Sequence, residues 1–341
     1  MSLSVGVVGL GYWGPNLVRN LHEVEGVQVK YLCDRRPDAL AKLARRYPAV
    51  TCTTELGDLL DDPALDALVI ATPVTTHHPI ASAALSRGKH VFVEKPLAAS
   101  SDEGLELVAL AEENGVVLMP GHTFLYSPPV NMIRELIESG ELGDIYFIST
   151  SRVNLGLHQP DVSVAWDLAP HDFSILRYWL GEPATHVSAA ARGCILPATP
   201  DVAFINLEFG SGVIAHVELA WLAPSKLRRT TVVGSQKMVV YDDTSNESVR
   251  VFDSGVMLPD PSTFGEYKLT YRTGSIVSPH VPAAEPLFVE LSDFAAAAQT
   301  GGVPRSHAEL GVDVIRMIEG VDDSLALHGA RVEVRGSVLV A

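Results

Sequence analysis

The fold is decided by LSVGVVGLGYWGPN, residues Leu3 to Asn16. A short valine-rich run leads directly into Gly9-x-Gly11-x-x-Gly14, and the stretch after it, LVRNLHEV, spaces its apolar residues as a helix does. Strand, glycine turn and helix in that order open a βαβ unit whose helix N-terminus can face an anion. Gly9 permits the tight turn, Gly11 lets backbone approach a pyrophosphate, and Gly14 allows close helix–strand packing. Tyr12 and Trp13 belong to the same loop. A glycine triplet alone serves ordinary turns; its placement between strand and helix carries the dinucleotide reading.

Working outward, further strands are expected at VQVKYLC (27–33), ALVIAT (67–72), KHVFVE (89–94) and VVLMP (116–120). They alternate with PDALAKLARRY, HHPIASAALSR and DEGLELVALAEEN, each with helical apolar spacing. The expectation is an α/β chain whose residues 1–121 form a Rossmann domain, a doubly wound parallel sheet. After Gly121 one helical stretch, PVNMIRELIESG, leads into longer alternating strands such as DIYFISTSRVNL, DVAFINLEF, VIAHVELAW and RRTTVVG, with a turn at Phe209-Gly-Ser-Gly212. Residues 122–341 therefore read as an α+β domain with a large open antiparallel or mixed sheet. A last helical pattern carries Leu310, Val314, Met317 and Val321 on one stripe and is expected to pack back on the first domain or on the sheet.

A chain of 341 residues exceeds what one core usually supports, which agrees with two domains. Its 25 Lys+Arg against 41 Asp+Glu give a formal charge of −16, which disfavours nucleic acid and anionic membrane as partners and requires any phosphate to be held locally. Cys33, Cys52 and Cys194 lack metal-like spacing and read as free, partly buried thiols of a reducing cytoplasm. No signal peptide and no membrane-length apolar run is evident.

Asp34 closes the second expected strand, twenty positions beyond Gly14, where a carboxylate can accept adenosine ribose hydroxyls and favour NAD. Its repulsion of a 2′-phosphate is about 4 kcal/mol for unit charges about 4 Å apart at an effective dielectric of about 20. Neighbouring Arg35 is able to accommodate that phosphate, and Asp34 also reads simply as a strand end. Ala71, Thr72 and Pro73 fall where backbone flanks a dinucleotide, with His77 lining or capping the next helix.

Glu94-Lys95-Pro96 ends the strand that includes Phe92, and ligands of open α/β sheets lie beyond the carboxyl ends of strands. An ammonium there stabilises a developing alkoxide; a surface lysine paired with Glu94 is the competing reading. Trp166-Asp167-Leu168-Ala169-Pro170-His171-Asp172 precedes another helical stretch, expected to start near Ala169 or Pro170 because proline is tolerated in a first turn. His171 at a positive helix end would stay neutral as a base oriented by Asp167. Asp167 equally reads as a helix cap and His171 as an ordinary first-turn residue. No third ligand accompanies this pair, so no metal site is expected.

Together, Gly9-Leu10-Gly11-Tyr12-Trp13-Gly14, Asp34-Arg35, Glu94-Lys95-Pro96 and Asp167-x-x-x-His171 resemble the glucose-fructose oxidoreductase and inositol dehydrogenase family, Gfo/Idh/MocA, over essentially the whole chain. The resemblance implies NAD as cofactor, hydride transfer at a secondary alcohol of a sugar, and Lys95, Asp167 and His171 meeting at the nicotinamide. It also implies an open-sheet domain whose outer face mediates dimer contacts, hence a homodimer or homotetramer. GYWGPNLVRN, GHTFLYSPPVNMIRELI and WDLAPHDFSIL look most like nucleotide-sugar 3-dehydrogenases acting on UDP-N-acetylglucosamine or its uronic acid.

In that frame Lys95, His122, Tyr126, Arg152, Asn154, Asp167 and His171 line the substrate cleft, with Arg152 the first candidate for gripping a diphosphate. Lys226, Arg228 and Arg229 are further candidates, and Tyr126 and Asn154 read equally well as structural. Relatives that reduce 3-keto sugars can carry a tyrosine acid where this chain offers His171, which favours oxidation. The alternatives are an inositol or free-sugar dehydrogenase, an NAD-recycling glycoside hydrolase and a non-catalytic NAD-binding sensor.

Overall fold

The computed structural model describes residues 2–156, 158, 162–257 and 270–336. Strands β1 (Leu3–Val8), β2 (Val27–Cys33), β3 (Thr51–Thr53), β4 (Ala67–Ile70), β5 (His90–Glu94) and β6 (Leu118–Gly121) pair in parallel in the order β3-β2-β1-β4-β5-β6. This is the Rossmann order, which reverses at β1 and β4 and opens a crevice at their carboxyl ends. Helices α1 (Gly14–Glu23), α2 (Pro37–Ala44), α3 (Gly57–Leu60), α4 (His77–Leu85) and α5 (Ser101–Asn114) make the crossovers. β1 and β4 are buried along their whole lengths, as strands covered on both faces must be, which is why they read as near-continuous apolar runs. The start of α5 is set by Ser100, whose Oγ accepts from Glu103 N at 3.2 Å while Glu103 Oε2 accepts from Ala99 N at 3.1 Å.

Beyond β6 come α6 (Pro128–Glu138), β7 (Ile145–Val153), α7 (Val164–Leu180), β8 (Ala184–Arg192), β9 (Val202–Phe209), β10 (Ile214–Ala220), β11 (Leu227–Gly234), β12 (Met238–Asp242), β13 (Val249–Met257) and β14 (Thr270–Val277). They are followed by α8 (Pro286–Thr300), α9 (Ala308–Ala326) and β15 (Val332–Glu333). Among the described residues β14-β13-β12-β11-β7-β10-β9-β8-β15 form a second, mixed sheet, parallel between β7 and β10 and antiparallel elsewhere. The expected turn at 209–212 joins β9 to β10, with Gly212 at φ +88°. Alternation sends Ala203, Ile205 and Leu207 of β9 and Ala215, Val217 and Leu219 of β10 to the face that α7 covers.

The chain divides into two compact units, 1–127 with 284–316 and 128–283 with 317–341. The sequence reading had placed one division, after residue 121. Residues 122–127 join the first unit because Tyr126 is tied to α8 and to the segment before α9. Its hydroxyl donates to Asp293 Oδ2 at 2.7 Å and accepts from Ser306 N at 3.0 Å, while Ser306 Oγ donates to Pro120 O at 2.6 Å. All four stripe residues of α9 are buried. Within the first unit, Gly311 lies so close to Pro120 that a Cβ would come within 2.9 Å of its ring. Within the second, a Cβ on Gly320 would stand 2.7 Å from Val187 Cγ1. Of the three free thiols, Cys33 is buried and Cys52 half-buried, whereas Cys194 is exposed, against the expectation of partial burial. No described helix is long and apolar enough to cross a membrane.

Candidate active site

The glycine turn follows the geometry that its three positions require. Gly9 has φ +93°, and a Cβ there would stand 2.6 Å from the Ala71 carbonyl oxygen; a Cβ on Gly14 would stand 2.3 Å from the Gly9 oxygen. At Gly11 nothing lies within 4 Å of that position, so the backbone faces open space. Trp13 caps α1 without a side-chain hydrogen bond, and Tyr12 beside it is 86 % exposed. Pro15 has no N–H and Asn16 N donates to Trp13 O at 2.9 Å, which leaves the Gly14 N–H as the first-turn donor for an anion, and the open glycine cradle fits a dinucleotide pyrophosphate.

Asp34 turns its carboxylate back to this loop, where Oδ2 accepts from Leu10 N at 2.7 Å. Arg36 N donates to Oδ1 at 2.9 Å, an Asx turn, and the guanidinium of Arg36 closes over the carboxylate at 3.2 and 3.3 Å. Burial raises the Asp34 pKa, but the bonds from Arg36 and Leu10 prevail and hold it below the usual carboxylate range. Arg36, which the sequence reading missed, is the arginine that pairs with Asp34; Arg35 and Arg36 are both exposed. Any non-proline residue two positions after an Asp supplies that N–H, so no sequence signal singles out Arg36.

Ala71 N donates to Val8 O at 2.8 Å, extending the β1–β4 register by one residue, and Thr72 and Pro73 follow at the crevice edge. His77 is buried, its ring wedged between the carbonyls of Thr72 and Pro96, each at 2.8 Å. It ties the chain after β4 to the chain after β5. Burial lowers its pKa against two carbonyls that favour the charged ring.

At the end of β5 the two neighbours part. Lys95 is half-buried, while Glu94 turns inward, 9 % exposed, its Oε2 accepting from Lys95 N at 3.3 Å. Burial, opposed by the Lys95 charge, pushes the Glu94 carboxyl up to about 7. Glu94 is therefore buried rather than a surface partner of Lys95. Gly121 pairs with Glu94 in the sheet, and His122 follows it, fully inside the first unit, with neither ring nitrogen hydrogen-bonded among the described residues. Burial and the charge of Lys95 lower its pKa to about 3, so the ring is neutral. Tyr126 is buried under the contacts already described and under the Arg305 guanidinium, 4.9 Å from its ring centre.

In the second unit α7 starts well before the expected position. Ser163 is its cap, accepting from Trp166 N at 3.4 Å, so Asp167 lies in the first turn and Pro170 and His171 lie mid-helix. The argument from a positive helix end does not hold for His171, because the dipole acts within the first turn only. Nor is Asp167 the cap; Trp221 Nε1 donates to its Oδ2 at 3.3 Å. Four residues apart in one helix, Asp167 and His171 share a face, which keeps the orienting role open to Asp167. Pro170 forfeits the single bond it would have made to the Trp166 carbonyl.

Arg152 points to the buried face of β7, where its Nε and Nη2 reach Asp172 Oδ2 and Oδ1 at 2.6 and 3.2 Å and Thr150 Oγ1 adds a bond of 3.0 Å to Asp172. With side chains 7 % and 3 % exposed, this fork fastens α7 to β7 beside His171. Arg152 is thus placed as the counter-ion of Asp172. Arg228 and Arg229 pair with Asp243 and Asp242. Asn154 continues β7, donating its N–H to Ala220 O at 3.1 Å. No group of three described His, Cys, Asp or Glu side chains is arranged to hold a metal ion.

Residues 3–122 match the family described as "Oxidoreductase family, NAD-binding Rossmann fold", and residues 130–240 match the "GFO/IDH/MocA C-terminal domain". The chain belongs to the Gfo/Idh/MocA oxidoreductase family. This oxidoreductase is 28% identical over 262 residues to scyllo-inositol 2-dehydrogenase (NAD(+)) of Bacillus subtilis, an alignment covering 73% of this chain and 76% of the relative. It is 29% identical over 226 residues to inositol 2-dehydrogenase 2 of Saccharopolyspora erythraea, covering 64% and 67%. Among solved structures it is similar to GenD2 from gentamicin A biosynthesis in complex with NAD, with a TM-score of 0.81, 25% identity and coverage of 97% and 96%. Its first unit is an NAD-binding Rossmann domain, and NAD is the cofactor that the cradle from Gly9 to Asp34 would hold.

Proposed function

We propose that this oxidoreductase moves hydride between NAD and a secondary alcohol of a sugar or cyclitol. The carrying observation is Lys95 at the carboxyl end of β5, beyond the Rossmann crevice. NAD, when bound, supplies the hydride acceptor. The Lys95 ammonium stabilises the alkoxide that develops as hydride leaves. His171 takes the hydroxyl proton, and Asp167, one turn before it on the same face of α7, orients the ring. The finer reading is oxidation at C3 of a UDP-N-acetylhexosamine or its uronic acid, supported by the likeness of the 11–20, 121–137 and 166–176 segments to nucleotide-sugar 3-dehydrogenases. A second reading, a free cyclitol, is favoured by one observation: Arg152, the first candidate for a diphosphate grip, is engaged with Asp172.

Incubation with NAD and each substrate class, followed by NADH absorbance and borodeuteride trapping of any new carbonyl, separates these. Deuterium at C3 of a UDP-sugar supports the finer reading; turnover confined to inositols supports the second. Sugar release without net NADH would point to transient oxidation in a glycoside hydrolase, and NAD binding without turnover to a sensor.

The reading includes a homo-oligomer formed through the outer face of the second sheet. Phe147, Phe204 and Ile214 share that face on neighbouring strands and are 41 %, 45 % and 57 % exposed. Light scattering that reports a monomer at micromolar concentration refutes it.

A further inference from the structure

Trp221 follows directly on β10 and is 2 % exposed. An indole N–H can only donate, and one shut off from water needs an acceptor. That acceptor is Asp167 Oδ2, at 3.3 Å, in the first turn of α7. Trp166 and Trp179 give their indole N–H groups to Asp322 Oδ2 and to the Val130 carbonyl, each at 2.8 Å, and neither acceptor has a part in the chemistry above. The Trp221 bond differs from these two in ending on a residue to which that chemistry gives a role.

The indole has little room to move. Trp221 N donates to the Asp201 carbonyl, and the Trp221 carbonyl accepts from Gly156 N, both at 2.9 Å, so its backbone is held from two sides. Asp201 is itself fixed: it is buried, and its carboxylate accepts from Cys194 N and Ile195 N at 2.8 to 3.0 Å. The His158 ring meets the indole edge to face, with centroids 5.6 Å apart. Beside Gly156 the packing leaves no place for a side chain, because a Cβ there would stand 2.9 Å from the indole Cδ1 and 3.3 Å from its Cγ. The φ of Gly156 is not positive, so it is the ring and not the backbone that asks for glycine.

Asp167 is the opposite case. Helix α7 fixes its backbone, but its side chain turns about two bonds, and only some rotamers bring the carboxylate to a residue four positions on. A donor that cannot move selects one of them in advance, and a group set beforehand loses no freedom when the reaction calls on it.

We propose that Trp221 is a positioning residue for hydride transfer: its indole N–H fixes the Asp167 carboxylate in the rotamer that orients the His171 ring. The inference rests on the roles proposed for Asp167 and His171 and goes one residue beyond them. Shut off from solvent, Trp221 acts through Asp167 and not on the substrate.

The test uses the full chain with 15N-labelled tryptophan, each variant checked for folding by thermal denaturation. Four tryptophans give four indole N–H signals in NMR, and the one missing from Trp221→Phe belongs to Trp221. In Asp167→Ala that signal is expected to move upfield, as the N–H loses a charged acceptor. A signal that stays in place overturns the hold, whether or not the protein is active.

Turnover is then measured with NAD and whichever of UDP-N-acetylglucosamine and inositol the wild type oxidises. Trp221→Phe keeps an aromatic ring and removes the N–H. It is expected to lower kcat about tenfold, a part of the about 10²–10⁴-fold that a well-placed base contributes, with KM changed by less than about twofold. In the Asp167→Ala background the same substitution is expected to change kcat by less than about twofold, because the group it acts through is gone. A tryptophan that only supports the fold would cost the same factor in both backgrounds, and that result overturns the proposal. Gly156→Ala keeps the N–H but displaces the ring; it is expected to repeat the pattern, and it decides if Trp221→Phe does not fold. Failure of the underlying reading looks different. Asp167→Ala would then turn over at the wild-type rate while the Trp221 signal still moves, which overturns the positioning role and leaves the contact standing.

Discussion

Replacing Arg152 with alanine separates two roles that this residue could have. The structure gives it Asp172, with both side chains more than nine-tenths buried and two N–H···O bonds between them. Removing one partner of a buried pair leaves an uncompensated charge and typically costs about 3–5 kcal/mol, whereas an exposed pair is worth under about 1 kcal/mol. Thr150 keeps one bond to Asp172, which places the expected loss toward the lower figure, about 3 kcal/mol. Because Asp172 adjoins His171, the proposed base, the loss is also expected to loosen α7 there, and KM and kcat to worsen for nucleotide sugars and free cyclitols alike. Urea unfolding measures the first effect and steady-state kinetics the second. Arg152→Met with Asp172→Leu supplies the control: with no charge left behind, it recovers most of the stability. An Arg152→Ala protein within about 1 kcal/mol of wild type, with KM raised for diphosphate-bearing substrates alone, refutes the reasoning and restores the phosphate grip.

Asp34→Ala removes the carboxylate proposed to accept the adenosine ribose hydroxyls and frees Arg36 from its pairing with it. The NAD over NADP preference in kcat/KM is expected to fall about 10²-fold, within what a repulsion of about 4 kcal/mol allows, and unchanged discrimination would count against the assignment. Glu94, raised from the ordinary 4.5 to about 7, binds its proton more tightly folded than unfolded. Its stabilising contribution is fully present below pH 4.5 and is lost as pH rises through 7, a loss of about 3 kcal/mol at 1.36 kcal/mol per unit. Wild type should therefore lose that much relative to Glu94→Gln between pH 4.5 and 8 in urea unfolding, and parallel curves would show that the carboxyl is not perturbed.

Where local pattern and tertiary structure agree, the sequence was sufficient. β1, the glycine turn, α1 and the buried stripe of α9 lie where apolar spacing and the glycines place them. β3 and α3 escaped because Thr-Cys-Thr and Gly-Asp-Leu-Leu are too short to show a period. α8 escaped for the opposite reason: its alanines make it apolar nearly all round, although Pro286 at its start and left-handed Gly301 at its end are ordinary helix boundaries. The start of α7 was misjudged because Pro170 looked like a beginning, while Ser163 holds the cap. The cofactor loop was legible since its roles are carried by backbone and by residues close in sequence. Arg152 and Tyr126 were not, because what each does is decided by Asp172 and Asp293, which no local spacing brings near them.

The return of 284–316 to the first unit has a bearing on how this protein is made. A ribosome delivers the nucleotide-binding strands early, but Tyr126 waits for Asp293 and Ser306, and β1 and α1 wait for α8, until most of the chain has emerged. The nascent Rossmann sheet therefore spends the synthesis of the entire intervening unit with one apolar flank uncovered, the period in which such a chain is most open to aggregation and to chaperones. Cutting the gene at residue 121 or 127 to obtain an isolated nucleotide-binding module would make that temporary condition permanent.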